Sequence, residues 1–138
     1  MDDTTKSKLL KAAQSVLGNA YAPYSGVFVS SALIDDKGRI FTGVNVENSS
    51  FSLTICAERN AISSAISAGA KSIKGILILS SIGAIPPCGA CRQVIAEFSK
   101  PETTVLLASK EYIEEEWTIG ALLPSAFKLL DKSENKLD

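Results

Sequence analysis

The apolar positions of the chain change period several times, and each change marks an element. In residues 4–17, Leu9, Leu10, Ala13, Val16 and Leu17 recur three or four apart, which predicts an amphipathic helix, and Gly18-Asn19 supplies its stop. After the turn-like stretch Ala22-Pro23-Tyr24-Ser25-Gly26, residues 27–34 and 39–45 read as two strands joined by a hairpin turn at Asp35-Asp36-Lys37-Gly38. Helical spacing returns over residues 56–68, with Thr54 as the predicted cap. Residues 73–80 read as a strand whose centre, Ile76 to Leu79, is continuously apolar, the pattern of a strand buried on both faces. A helix over 88–98 follows Pro86-Pro87, and 103–108 reads as a further strand. Strand and helix alternate after residue 45, which requires crossover connections and therefore a mixed sheet covered by helices. Residues 122–127 are apolar enough to pack against something, whereas 131–138 are polar. The expected organisation is one catalytic domain over residues 1–130 with a polar tail over 131–138.

Composition narrows the function classes. A chain of 138 residues that is 46% hydrophobic fits one domain able to bury roughly two-thirds of its unfolded surface. Its 14 basic and 15 acidic residues form no dense cationic block, which argues against a nucleic acid polymer as partner. Apolar stretches break well before the roughly 18 residues a membrane span needs. Met1-Asp2-Asp3 has neither a basic leader nor an apolar core, so a soluble cytoplasmic protein without membrane association is expected. The chain contains no histidine, which removes every His-based triad and Cys-His nucleophile. Its three cysteines, Cys56, Cys88 and Cys91, are an odd number and unsuited to a purely disulfide framework.

Those cysteines carry the candidate chemistry. Cys88-Gly89-Ala90-Cys91 opens one predicted helix and Cys56 opens another, and a helix N-terminus lowers a thiol pKa toward the thiolate that binds metals. Three protein ligands leave a tetrahedral metal one position for water, the arrangement of catalytic rather than structural zinc. Glu58, two residues after Cys56, shares its first helical turn and is the candidate proton carrier. Three thiolates around a divalent zinc leave a formal charge of about −1, and Arg59 is the candidate neutralising cation. Two other readings stand beside this one. A redox CxxC would leave Cys56 and Glu58 without a part, and a zinc closed by a fourth side chain would make a noncatalytic interaction module.

The pairing of Cys56-Ala57-Glu58 with Pro87-Cys88-Gly89-Ala90-Cys91 resembles the zinc deaminase signature. From the first helix through Phe127 the sequence resembles the small, homotetrameric cytidine deaminases. The resemblance is carried by Pro23-Tyr24-Ser25, by the run from Gly38 through Asn48, by Cys56-Ala57-Glu58-Arg59-Asn60-Ala61-Ile62, by Pro87 through Gln93, and by Leu122-Leu123-Pro124-Ser125-Ala126-Phe127. It implies a three-layer α/β/α sandwich on a five-stranded mixed sheet and one Zn2+ per subunit on Cys56, Cys88 and Cys91. Glu58 would be the acid/base, and Arg59 would hydrogen-bond the ligand sulfurs. Asn45 and Glu47 would grip the ribose 3′-hydroxyl, and the Ala57 backbone would contact the pyrimidine carbonyl. Phe127 would complete a neighbouring subunit's pocket in a homotetramer. The implied reaction, a step of pyrimidine salvage, is hydrolytic deamination of cytidine or deoxycytidine to uridine or deoxyuridine with release of ammonia. A deaminase of an aminonucleoside antibiotic such as blasticidin would share the zinc core, although Asn45 and Glu47 favour an ordinary nucleoside. The chain departs from the family pattern at Val27, where an aromatic usually stacks on the base, and has Phe28 beside it. A displacement by one residue flips a side chain across a strand, so Phe28 substitutes only if a bulge near Gly26 shifts the register. Pro86 replaces a common Ser, and Phe51 a frequent Tyr.

Overall fold

The computed structural model describes residues 1–129, and the tail expected over 131–138 lies outside them. Helix α1 spans Asp3–Val16, capped by the Asp2 carboxylate, which accepts from the Thr5 N–H at 2.7 Å. Strands β1 (Val29–Asp35) and β2 (Ile40–Val44) form the expected hairpin. Then come α2 (Ala57–Ser67), β3 (Ile73–Ser80), α3 (Gly89–Glu97) and β4 (Thr104–Ala108). A fifth strand, β5 (Ile113–Thr118), and the single turn α4 (Ile119–Leu122) follow. The expected Thr54 cap on α2 is corrected: the cap is Cys56, whose carbonyl accepts the first intrahelical bond from Asn60 N–H. Thr54 instead closes the short turn Phe51–Leu53.

The five strands order as β2-β1-β3-β4-β5, with β3 and β4 parallel and the other pairs antiparallel. Alternate residues of the central strands sort to opposite faces. Leu33, Ile76, Ile78, Val105 and Leu107 pack with Ala61, Ile62, Ala65 and Ile95 of α2 and α3. Ala32, Leu77, Leu79, Leu106 and Ala108 pack with Leu9 and Ala13 of α1. The result is the expected three-layer α/β/α sandwich on a five-stranded mixed sheet, and β3, covered on both faces, accounts for the apolar run from Ile76 to Leu79. Each large side chain so buried contributes about 1.5–3 kcal/mol. Among the described residues, no helix is long and apolar enough to cross a membrane.

The β1–β2 turn is held by a buried carboxylate. Asp35 is 1% exposed and accepts from the N–H groups of Lys37 (3.0 Å) and Arg39 (2.7 Å) and from Arg39 Nε (2.9 Å). Gly38 completes the turn at φ +79°, a conformation other residues rarely adopt. Burial pushes the Asp35 pKa up, but the Arg39 backbone and side chain together with the Lys37 N–H outweigh it, so the net shift is downward. Asp35→Ala is expected to cost about 2 kcal/mol through the unpaired N–H groups it leaves, measured as a denaturant midpoint shift. Because the folded pKa is depressed, the Asp35 contribution is complete above the unfolded value of about 3.9 and drains away as pH falls through the folded value. The gap between parent and variant should therefore narrow in acid, and a gap that widens there would rule this account out.

Candidate active site

Strand register brings distant segments to one end of the sheet. Ser30 pairs with both Val44 and Leu79, and Leu79 pairs with Ala108. The residues just before β1, just after β2 and just after β3 therefore emerge together, at the carboxyl ends of the two parallel strands where open α/β sheets bind ligands. A reciprocal pair of bonds, Val46 N–H to Ile55 O (2.9 Å) and Ile55 N–H to Val46 O (3.0 Å), draws in the start of α2. Asn60 Nδ2 donates to Val44 O at 2.8 Å and docks the same helix on the end of β2.

At this end the Sγ atoms of Cys56, Cys88 and Cys91 all lie within 4.8 Å of one another, and all three cysteines are free thiols. Cys56 and Cys88 are the N-caps of α2 and α3, and Cys88 Sγ accepts from the Cys91 N–H at 3.4 Å. Hydrogen bonding from the Cys91 thiol is the largest influence on Cys56; with help from Arg59 and against burial, it draws the Cys56 pKa down to about 5. The same pairing, reinforced by burial, pushes Cys91 up. Arg59 Nη2 donates to Thr54 O at 3.2 Å and to Cys56 Sγ at 3.7 Å, while Arg59 Nε is buried with no hydrogen-bond partner among the described residues. This donor set fits zinc. Tetrahedral ligands at about 2.3 Å place sulfurs about 3.8 Å apart, a small contraction from the observed spread, and the spare guanidinium donor suits electron-rich thiolates.

Glu58 is 4% exposed. Burial raises its pKa most; its own backbone N–H opposes the rise, and the charge on Cys56 adds to it. Glu58 stands in the first turn of α2, two residues after its Cys56 cap, and so enters at the same helix end as one sulfur of the trio. Ala57, the first residue of α2, presents an N–H from the helix end where such groups lack intrahelical partners.

Asn45 and Glu47 reach the same end, but hold more than the sequence suggests. The buried Asn45 side chain accepts from Val29 N–H at 2.9 Å and donates to Val27 O at 2.9 Å. Glu47 accepts from Tyr24 N–H (3.0 Å), Ser25 N–H (3.1 Å) and the Ser25 hydroxyl. That hydroxyl, opposed by partial burial and aided by the two N–H groups, holds the Glu47 carboxyl below its usual range. Both residues therefore organise the segment that precedes β1. Gly26 lies at φ +70° and β1 begins only at Val29, so Val27 and Phe28 precede the strand and strand alternation does not govern them. Ser25 and Asn60 lie inside the family motifs, but their long-range partners had no sequence signal.

Phe127 is 71% exposed and stands apart from the thiols of its own chain. It lines a cavity of about 1070 Å³ with Ile73, Lys74, Phe98, Thr103 and Thr104, at the opposite end of the sheet. None of Asn45, Glu47, Cys56, Glu58, Cys88 or Cys91 lines that hollow. Its size does not outweigh the thiol trio, where the donor chemistry is concentrated.

A family model for the cytidine and deoxycytidylate deaminase zinc-binding region matches residues 3–123. The cytidine deaminase of Sporosarcina psychrophila is 42% identical over 127 residues, covering 91% of this chain and 93% of its own. That of Halalkalibacterium halodurans is 38% identical over 130 residues, covering 94% and 98%. The crystal structure of cytidine deaminase from Burkholderia pseudomallei superposes with a TM-score of 0.83 at 41% identity, covering 92% of this chain and 100% of its own.

Proposed function

The chain belongs to the cytidine and deoxycytidylate deaminase family, and from that premise we propose that it converts cytidine and deoxycytidine to uridine and deoxyuridine, consuming water and releasing ammonia. The observation that carries this reading is the convergence of three thiols with a buried carboxyl at the carboxyl end of the parallel strands. Cys56, Cys88 and Cys91 hold one zinc per subunit, which when bound supplies the Lewis acidity that makes water nucleophilic near neutral pH. Glu58 takes a proton from water and delivers it to ring nitrogen 3 as the water oxygen bonds to carbon 4. It then takes the remaining proton from that new hydroxyl and gives it to the 4-amino nitrogen, so that the carbon–nitrogen bond breaks, ammonia leaves and the carbonyl of uridine forms. A buried carboxyl whose pKa is raised suits both directions of transfer.

The other roles follow from spare hydrogen-bonding capacity. A carboxylate offers about four acceptor positions, so Glu47 retains one for a sugar hydroxyl beside its three bonds. Asn45 retains one amide hydrogen beyond its bond to Val27. The Ala57 N–H meets the pyrimidine carbonyl, and Arg59 steadies the Cys56 sulfur. An apolar rim of Tyr21, Tyr24, Val46, Phe51, Leu53 and Ile55 is exposed beside the site, which supports a homotetramer with active sites near subunit contacts. Phe127, exposed on its own chain, then serves a neighbour's pocket. One catalytic domain over residues 1–130 carries all of this, and a site that needs reduced thiols suits the cytoplasm.

The test is to follow loss of cytidine ultraviolet absorbance while measuring zinc per chain in the same sample. Activity should track zinc content up to one ion per chain, vanish on chelation and return with zinc. A zinc-loaded protein that leaves cytidine unchanged would refute the proposal.

A further inference from the structure

Two residues of the Pro87–Gln93 motif have no part in the chemistry above, yet both reach across the fold to the same place. Arg92 lies in the first turn of α3, directly after Cys91, and is half-buried. Its Nε donates to Pro87 O at 2.8 Å, the carbonyl immediately before Cys88. Its Nη1 donates to Leu122 O at 2.7 Å, the carbonyl that ends α4. Gln93 Nε2 donates to Phe127 O at 3.1 Å. Between these two anchor points Ser125 holds φ +52°, the only described non-glycine residue with positive φ. Such a conformation persists where its surroundings over-determine it. The course of residues 122–127 is therefore imposed by α3, and the guanidinium binds both carbonyls at once.

We propose that Arg92 is a positioning residue that couples the metal site to the C-terminal segment: by fixing Pro87 O to Leu122 O, it makes the Cys88 turn and residues 122–127 a single unit. The rigid planar fork of arginine suits this task, since two of its donors point in fixed directions toward two acceptors, whereas an ammonium acts as a point charge on a flexible stem. The coupling runs both ways, as linkage requires. Metal that orders the Cys88 turn also orders residues 122–127, and loss of the bond to Leu122 loosens the turn that presents Cys88 and Cys91. The proposal rests on the assignment of those two cysteines as zinc ligands.

The experiment measures zinc affinity by competition with a chromophoric chelator in the parent, Arg92→Gln and Arg92→Lys. Amide hydrogen exchange of residues 122–127 is followed in the same proteins with and without zinc. Arg92→Gln should bind zinc about tenfold more weakly, the scale typical for loss of a group that orients a ligand, and Arg92→Lys should fall between. Zinc should slow exchange at residues 122–127 in the parent and not in Arg92→Gln. Parent-like zinc affinity in Arg92→Gln, within twofold, overturns the proposal while leaving the ligand assignment intact. A parent that binds no zinc overturns the assignment and the proposal together. If Arg92→Gln does not fold, the parent decides alone: exchange at 122–127 that ignores zinc refutes the coupling, and exchange slowed by zinc supports it.

Discussion

Glu58→Gln should keep zinc at the parent's content per chain while turnover of cytidine falls by about 10³-fold or more. The substitution is nearly isosteric and touches none of the three sulfurs, so the metal site has no reason to open. What it removes is the capacity to take a proton. General acid–base catalysis by a positioned side chain contributes typically 10²–10⁴-fold, and Glu58 is asked to act on both halves of the reaction. Water cannot replace it readily, because the residue is 4% exposed. Steady-state kcat together with metal analysis checks the outcome. A kcat within tenfold of the parent, at equal zinc, would remove Glu58 from the mechanism.

Gly43→Ala, outside the chemistry, should be almost as damaging. A Cβ placed on Gly43 would run into the backbone nitrogen of Ala61, lie 2.6 Å from Ala57 O and 2.9 Å from the Asn60 carbonyl carbon. All three are backbone atoms of α2, so no side chain can rotate out of the way. The helix must move as a body, yet the Val46–Ile55 bonds and the Asn60–Val44 bond hold its first turn at the end of β2. Overpacking of this kind costs about 1–3 kcal/mol, visible as a fall in Tm. Activity should suffer more, because that turn bears Cys56 and Glu58, and a displacement of about 1 Å at reacting groups costs on the order of 10²-fold. The measurement is kcat/KM alongside thermal unfolding. An alanine variant with the parent's Tm and rate would show that β2 and α2 are not in the tight contact described here.

Much of the fold was legible because its signals are local. The run over residues 73–80 identified β3 to the residue, since a strand buried on both faces is apolar through its centre, Ile76 to Leu79, and carries its polar residues, Lys74 and Ser80, only near its ends. Helices α1, α2 and α3 were found within a residue or two of their ends. Strand β5 was invisible to the pattern. Its Ile-Glu-Glu-Glu-Trp-Thr sequence presents charge to solvent on an edge that has a neighbour only in β4, where charge discourages unwanted pairing. Its existence depends on Val105 and Leu107 already lying beside it. The Thr54 cap failed for a related reason: the turn at Phe51–Leu53 claims that residue first.

By itself the sequence determined the period of each central element, the absence of histidine chemistry, the spacing Cys56-Ala57-Glu58 and Pro87-Cys88-Gly89-Ala90-Cys91, and hence the class of reaction. These are properties of neighbours a few bonds apart. Only the tertiary structure decided that Asn45 and Glu47 spend most of their hydrogen bonds on the segment 24–29, that Gly43 admits α2 to β2, that Arg92 joins two carbonyls far apart in the chain, and that Phe127 stands away from its own thiols. Each of these is a contact between residues that meet only because strand register and helix packing bring them together. The partner of a polar group is set by that geometry rather than by its neighbours in sequence.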